Sequence, residues 1–376
     1  MAPVILELGK HTDRVRSVTC SVAQHREMLD QVLRVFQINP DYDLNLMQPD
    51  QSLSQLTANL FVGLDPVVSE LKPDWILAQG DTTTVLVTAM IAFYHNIAFG
   101  HVEAGLRTGN RRRPFPEEIN RRTADLVASA YFAPTETARR ALLREGCCEG
   151  DIYVTGNTVI DALNHAASRE YDWQAGPLAR LPLDKRFVLI TAHRRESFGA
   201  PFRELCLAIR DLSRIFADDG LHFVYPVHLN PHVRQPVNDI LSGLPNVSLI
   251  EPLDYLSLVH LMKHSTLILT DSGGIQEEAP GLRVPALVMR DTTERPEGIE
   301  AGVVRLVGTQ RCRIIAEAEK LLRNPAEHAA MATGKNPYGD GEAAQRIVSI
   351  LLERSAVSER EHGKTNNGVA LPKIVV

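Results

Sequence analysis

Short apolar runs alternate with amphipathic stretches along most of the chain. In the first half the runs predict the strands Val18–Cys20, Trp75–Gln79, Ala98–Val102, Tyr131–Ala133 and Ile152–Thr155. In the second half they predict the strands Phe187–Ala192, His222–Val227, Val247–Ile250, Leu267–Thr270, Pro285–Met289 and Val303–Val307. Helical patterns fill the intervals. This alternation is typical of α/β proteins with parallel sheets covered by helices on both faces.

A change in composition divides the two series. Residues 170–186 mix tryptophan, glycine, two prolines and charges, so we predict a linker there. It would join an N-terminal Rossmann-like domain, 1–169, to a C-terminal one, 187–341, with the helix 342–355 returning to the N-terminal domain. We expect two doubly wound domains that face each other across a cleft, where ligands bind at strand carboxyl ends. Residues 356–376 are predicted to be a frayed tail.

Composition narrows the classes of function. The 376 residues are 44% hydrophobic and 23% charged, as in a soluble globular protein. A net charge of −6 gives no general attraction to nucleic acid or acidic lipid. The longest apolar stretch, Val85–Tyr94, is too short to span a membrane, and no signal peptide precedes it. Five cysteines without metal-ligand spacing fit a reducing compartment, so we expect a cytoplasmic protein.

The segment 265–298 carries the densest candidate chemistry. An apolar strand runs into Asp271-Ser272-Gly273-Gly274, where a helix is predicted to begin with Ser272 as its N-cap. Amide groups at such a helix start attract anions, and glycines let a ligand approach the backbone. An ordinary capped strand–turn–helix remains the alternative for these four residues alone.

Two charged residues extend this candidate anion site. Glu278, one turn into the helix, could accept hydrogen bonds from the two hydroxyls of a ribose. Arg295, after the next strand, could clamp a phosphate. Together they predict a nucleotide site in the second half of the chain.

Three carboxylates follow predicted strands or start helices in the first half. They are Asp81, Glu103 and Glu117. Each has an ordinary explanation, since Asp81 could be an N-cap and Glu117 a first-turn acid. Their shared position on the ligand side of one sheet predicts acid–base chemistry.

The second half adds basic groups at the ends of its strands. His193, Arg194 and Arg195 follow the first strand of this half and could bind or protonate a leaving phosphate. A capping turn with surface arginines is the alternative. His228, after the next strand, is a candidate ligand contact only.

These blocks together resemble the bacterial non-hydrolysing UDP-N-acetylglucosamine 2-epimerases. The resemblance runs from residue 1 to about residue 352 and rests on the ordered blocks QHREMLDQV, GDTTT, HVEAGLRTG, PFPEEINR, GNTVIDAL, TAHRRESFG, YPVHLNP, LTDSGGIQEEAP, VMRDTTERPEG and NPYGDG. It implies a GT-B-like pair of Rossmann-like domains, a homodimer, no metal and no nicotinamide cofactor.

The resemblance also implies residue roles. The catalytic set would be Asp81, Glu103, Glu117 and His193, and the nucleotide-binding set Ser272, Gly274, Glu278 and Arg295, with Gly273, Arg194 and Arg195 beside them. Some bacterial members are activated by substrate at a second site, and the match at Gln24 and His228 permits one here.

The implied reaction converts UDP-GlcNAc and UDP-ManNAc by elimination of UDP to a 2-acetamidoglucal and re-addition. It requires a base, an acid on the opposite face of C2 and a cation or proton donor beside the leaving phosphate. The alternatives are an epimerase of a related UDP-diacetamido sugar, a hydrolysing relative, a glycosyltransferase of the same fold, and a non-catalytic UDP-sugar binder.

The chain departs from the family pattern at its start. Family members usually have an apolar strand and G-T-R-P-E-x-x-K ahead of the Met-Ala-Pro at residues 1–3. We therefore expect an N-terminally truncated chain whose first strand is missing, with unpaired neighbouring strands, poor stability and weak activity. Leu258 stands where an aromatic residue often lies near the uracil, so base stacking is in doubt.

Overall fold

A computed structural model of the chain describes residues 1–22, 26–48, 51–194, 197–293, 295–361 and 371–376. The first elements are α1 (Ala2–Leu8), β1 (Arg16–Val18), β2 (Cys20–Ser21), α2 (Arg26–Phe36), β3 (Tyr42–Asp43), α3 (Leu53–Leu71), β4 (Trp75–Gln79), α4 (Thr83–Tyr94), β5 (Ala98–Val102), α5 (Glu117–Val127), β6 (Ala130–Ala133), α6 (Glu136–Arg144), β7 (Ile152–Val154) and α7 (Thr158–Ser168).

The remaining elements continue the alternation and then return to helix and strand. They are β8 (Arg186–Thr191), α8 (Ala200–Ile215), β9 (Leu221–Pro226), α9 (Pro231–Leu241), β10 (Val247–Ile250), α10 (Tyr255–Lys263), β11 (Ser265–Thr270), α11 (Gly273–Gly281), β12 (Ala286–Val288), α12 (Pro296–Glu300), β13 (Val304–Leu306), α13 (Arg311–Arg323), α14 (Pro325–Ala332), α15 (Ala343–Glu361) and β14 (Lys373–Val375).

The chain forms two compact units. The N-terminal unit comprises Met1–Ala162 with Gly339–Val376, and the C-terminal unit comprises Leu163–Tyr338. The division falls inside α7, because Leu163 and Ala166 pack into the core of the C-terminal unit. No helix of the described ranges is long and apolar enough to cross a membrane.

The N-terminal unit contains a parallel sheet in the order β1-β14-β4-β5-β6-β7. Its inner strands are apolar on both faces; all four residues of β6 are buried. Helices therefore cover both faces, as predicted for a doubly wound sheet. Since the strands are parallel, their carboxyl ends share one edge, and the loops after β4 and β5 meet there.

The last strand of the chain occupies an interior position in this sheet. Lys373, Ile374 and Val375 pair with β1 on one side, and Ile374 and Val375 pair with β4 on the other. Ile374 is completely buried. The prediction of a frayed tail is therefore wrong for this segment, and the predicted gap in the sheet is filled. The backbone groups expected to be unpaired have partners: Arg16 N donates to Pro372 O, and Val376 N to Val18 O.

The C-terminal unit repeats the architecture with the order β10-β9-β8-β11-β12-β13, again all parallel. The strands β8 and β11 lie side by side at its centre, and Leu267, Ile268 and Leu269 are fully buried. The loops after β8, β9 and β11 leave the same edge of the sheet. These loops carry His193, Arg194, His228 and Ser272, whereas Glu278 lies on α11 and Arg295 follows β12.

Candidate active site

Glu103 lies directly after β5 with its side chain over the end of β4. Gln79 Nε2 donates to Glu103 Oε2 at 3.3 Å, and Asn157 Nδ2 approaches Glu103 Oε1 at 3.5 Å. A Cβ atom on Gly80 would come within 3.6 Å of the carboxylate. Glu103 has a positive φ of 66°, a strained conformation for a residue with a side chain. Backbone strain at a half-buried carboxylate favours a functional role for Glu103.

Asp81 is held by α5 and does not cap α4. The N-cap of α4 is Thr82, so the alternative considered for Asp81 is wrong. Arg121 Nη2 donates to Asp81 Oδ2 at 2.5 Å, and Asn120 Nδ2 donates to Asp81 O at 2.9 Å. These contacts join the loop after β4 to the first turns of α5, where Glu117 lies.

Glu117 and Glu118 begin α5 but have different surroundings. Glu118 is fully buried and accepts hydrogen bonds from Thr108 N at 3.1 Å and Gly109 N at 3.2 Å. Glu117 Oε2 is buried and has no hydrogen-bond partner among the described residues. An unpartnered carboxylate oxygen is unfavourable unless a ligand or proton satisfies it. Glu117 is therefore the better candidate for chemistry, and Glu118 stabilises the loop.

A buried charged network lies beneath these loops. His101 Nδ1 is 2.6 Å from Asp125 Oδ1, and His101 Nε2 is 2.7 Å from Gly80 O. Arg107 Nη2 donates to the other carboxylate oxygen of Asp125 at 2.7 Å. Burial acts against the charged form of His101, but Asp125 and the Gly80 carbonyl outweigh it and raise its pKa. The network ties the Gly80 turn to α5.

In the C-terminal unit, Asp271 organises the turn after β8. It follows β11, is completely buried, and its Oδ2 accepts hydrogen bonds from His193 N and Arg194 N, both at 2.8 Å. The His193 ring stacks on His228 with 5.3 Å between ring centroids. Burial lowers the pKa of His193; Asp271 opposes this effect, and His228 and Arg194 reinforce it. The structure thus brings together three residues that the sequence placed after different strands.

The start of α11 faces two guanidinium groups. A Cβ atom on Gly273 would lie 2.8 Å from Arg295 Nη1 and 3.3 Å from Arg194 Nη2. Ser272 is the N-cap of α11, as predicted, although its side chain makes no capping hydrogen bond. Two guanidinium groups beside the N-terminus of a helix are suited to binding an anion. A Cβ atom on Gly274 would meet Glu278 Oε2 and Ser272 Oγ only at 4.0 Å, so its surroundings do not demand glycine.

Glu278 lies one turn further along α11. Burial raises its pKa to about 7, with Glu277 adding to the effect and a hydrogen bond from Tyr255 opposing it. Tyr255 Oη donates to Glu278 Oε1 at 2.9 Å. Arg295 Nε pairs with the neighbouring Glu277. The carboxyl group of Glu278 therefore loses its proton near neutral pH, and the ionised form can accept a hydrogen bond from a ligand hydroxyl.

Several contributors were not identified from the sequence. A polar residue inside an apolar strand, His101, and an acid at the end of one, Asp271, were visible signals. No local sequence signal pointed to Asp125, Arg121 or Tyr255, because their partners are distant in the chain. Gln24 and Arg195 lie outside the described residues. Within the described part of the chain, no group of three or more His, Cys, Asp or Glu side chains is arranged to hold a metal ion.

Comparison with known proteins identifies the family. Residues 7–352 match the family model described as UDP-N-acetylglucosamine 2-epimerase. The chain belongs to the UDP-N-acetylglucosamine 2-epimerase family. A curated relative from Escherichia coli (strain K12) with that name is 52% identical over 357 residues, covering 93% of this chain and 94% of the relative.

Solved structures of epimerases share the GT-B-like fold. The UDP-GlcNAc 2-epimerase from Neisseria meningitidis, bound to UDP-GlcNAc, is 47% identical with a TM-score of 0.83 and covers 94% of this chain and 96% of its own. The Methanocaldococcus jannaschii epimerase, in complex with UDP-GlcNAc and UDP, is 34% identical with a TM-score of 0.76, covering 94% and 95%. The chain is thus an isomerase-family member with the predicted α/β architecture.

Proposed function

We propose that this protein reversibly converts UDP-N-acetylglucosamine to UDP-N-acetylmannosamine by inversion at C2. Two observations support the proposal. The family relationship covers nearly the whole chain. Within the N-terminal unit, Asp81 and Glu103 lie in the loops after β4 and β5, and Arg121 ties Asp81 to α5, which begins at Glu117. Relatives with bound UDP-GlcNAc support a nucleotide-sugar substrate.

In the first step the bond between C1 and the diphosphate oxygen breaks, and its electron pair leaves with UDP. Positive charge at the ring acidifies the C2 hydrogen, which a carboxylate of the N-terminal unit removes as a proton. The electrons of the C2–H bond form the double bond of a 2-acetamidoglucal. One carboxylate is now protonated and UDP is free.

The return step reverses these changes on the other face. A protonated acid delivers its proton to the opposite face of C2, and the diphosphate oxygen adds to C1. We propose that Glu103 and Glu117 are the two acids closest to C2 and that Asp81, paired with Arg121, positions the sugar or shares their role. The main support for this proposal is the strained backbone of Glu103, which fixes the carboxylate over Gly80.

The C-terminal unit would bind UDP. Arg194, Arg295 and the amides that begin α11 suit the diphosphate, with Arg195 and Ser272 as additional candidates. Glu278 suits the ribose hydroxyls, and His193 would assist departure of the β-phosphate. Preorganised cations stabilise the charge that develops on a leaving phosphate.

One NMR experiment tests the function. The protein is incubated with UDP-GlcNAc in deuterium oxide, and the sugar resonances are followed. We expect UDP-ManNAc to appear with deuterium at C2 of both nucleotide sugars. Release of free ManNAc would mean hydrolysis, and turnover confined to a UDP-diacetamido sugar would mean the related epimerase. Binding of UDP-GlcNAc without exchange would identify a non-catalytic binder.

The setting of the reaction is also proposed from the family resemblance. We infer a cytoplasmic homodimer that supplies ManNAc units for a cell-surface polysaccharide. Light scattering at micromolar concentration should give twice the mass of the chain. A second substrate site involving His228 and Gln24 would give sigmoidal kinetics in UDP-GlcNAc.

A further inference from the structure

Asp271 has one carboxylate oxygen that no residue of the described chain satisfies. Its Oδ2 accepts two backbone hydrogen bonds, from His193 N and Arg194 N, so the carboxylate is fixed to the turn that carries His193. Its Oδ1 is buried and has no hydrogen-bond partner among the described residues. A buried, unpaired carboxylate oxygen is costly, so a donor is expected to reach it in the working state.

The ring of His193 is a basic group close to this oxygen. His193 Nδ1 lies 3.9 Å from Asp271 Oδ1, outside hydrogen-bond range. A ring movement of about 1 Å would bring the pair to an ordinary N–H···O distance. The side chain of His193 is 45% exposed, so the ring has room to move, whereas Asp271 is fully buried and held by two amides. The histidine is therefore the mobile partner.

We propose that Asp271 is a positioning residue that accepts a hydrogen bond from Nδ1–H of His193 and directs His193 Nε2 toward the leaving phosphate. This role rests on the proposed function, in which His193 assists departure of UDP. A hydrogen bond at one ring nitrogen fixes the tautomer and the direction of the other. Asp271 also favours the imidazolium form, which can give a proton to the phosphate and take it back.

The surroundings of His193 explain why the binding of UDP would bring its ring within hydrogen-bond distance of Asp271. His228, from the loop after β9, stacks on the ring, and Arg194 lies beside it; both disfavour a second positive charge. A diphosphate at the start of α11 would offset the positive charge of Arg194 and allow His193 to become protonated. The imidazolium would then donate Nδ1–H to Asp271 and Nε2–H to the phosphate.

The tautomer provides a test that does not depend on turnover. The protein is labelled with ¹⁵N-histidine, and His193 is assigned by comparison with His193→Gln. With UDP bound, we expect a proton on Nδ1 that Asp271→Asn abolishes or shifts strongly upfield. A UDP complex in which Nδ1 of the wild-type ring is unprotonated would overturn the proposal.

The pH dependence of turnover provides the second test. Asp271→Asn keeps the shape of the side chain but favours an unprotonated Nδ1. We therefore expect kcat to fall about 10-fold or more, and the alkaline limb of the pH profile of kcat to move to lower pH by about one unit. Asp211→Asn, whose carboxylate pairs with Arg311 in the same unit, should change neither. If folded Asp271→Asn has the kcat of the wild type and the same alkaline limb in its pH profile, the proposal is wrong. If the wild type proves inactive, the proposed function fails, and the tautomer still decides the role of Asp271.

Discussion

His101 and Asp125 form a fully buried pair, with 2.6 Å between Nδ1 and Oδ1. The other ring nitrogen of His101 contacts the carbonyl of Gly80, which can only accept a hydrogen bond. Both nitrogens therefore donate, and His101 is an imidazolium. A buried cation between a carboxylate and a carbonyl fixes the turn that precedes Asp81.

We predict that His101→Gln lowers the free energy of unfolding by about 3 kcal/mol, because Asp125 loses one buried partner. The folded-state pKa of His101 is raised, so its stabilisation is complete below the unfolded value of about 6.5 and is lost as pH rises through the folded pKa. The difference between wild type and variant in urea unfolding should shrink at alkaline pH.

His95→Gln is the matched control for this pair. His95 Nε2 lies 2.7 Å from Asp65 Oδ1 at the surface, and such pairs contribute about 0–1 kcal/mol. An equal loss of stability in both histidine variants would contradict the importance of the buried network.

Glu117→Gln and Glu118→Gln should separate chemistry from folding. Glu118 accepts from two backbone amides, so its amide variant places an NH₂ group against a donor and destabilises the protein by about 1–3 kcal/mol. Glu117→Gln should leave stability within about 0.5 kcal/mol but lower kcat about 100-fold or more, as expected for loss of an acid–base group. Thermal unfolding and the NMR assay measure both effects. Full activity of Glu117→Gln would remove it from the catalytic set.

Glu278→Gln should stabilise the C-terminal unit at alkaline pH. Because the folded-state pKa of Glu278 is raised to about 7, the fold favours the protonated form. Wild-type stability should fall as pH rises from about 4.5 to 7 and stay lower above it. The shift corresponds to about 3 kcal/mol, which the neutral glutamine recovers at pH 8 but not at pH 4.5. Urea unfolding at both pH values measures this difference.

Binding of UDP should release a proton from Glu278 near pH 7. If the carboxylate accepts the ribose hydroxyls, affinity rises with pH through this range, since the ligand selects the ionised form. Calorimetry in two buffers with different ionisation enthalpies counts the protons released. The effect should be absent in Glu278→Gln; proton release that persists in this variant would assign it to another group.

Ile374→Ala should destabilise the N-terminal unit by about 2–5 kcal/mol, because it leaves a cavity between β1 and β4. Leu371→Ala, at a position 42% exposed just before the strand, should change stability by about 0.5 kcal/mol or less. Urea unfolding followed by tryptophan fluorescence would report the difference, since Trp75 on β4 pairs with Ile374. Similar effects of the two substitutions would mean that β14 does not occupy the sheet in solution.

Local patterns were enough to predict most strands of both sheets. The bounds of β4 and β5 agree with the apolar runs Trp75–Gln79 and Ala98–Val102, because strands buried on both faces need continuous apolar residues. The strand β14 was not predicted, because three residues after a polar stretch are too few to show a hydrophobic periodicity. Its assignment depends on a slot between β1 and β4, which exists only after the rest of the sheet has formed.

The residues of the candidate site also fall into those that the sequence could indicate and those that it could not. Asp81, Glu103, His193 and Glu278 could be proposed from the sequence, because each lies after an apolar strand or in the first turns of the next helix, at the edge where parallel sheets bind ligands. The partners that set their chemistry could not. The partners Arg121 of Asp81, Asp125 of His101 and Tyr255 of Glu278 are 23 to 40 residues away in the chain. Their effects depend on distances and burial that arise only in the folded chain.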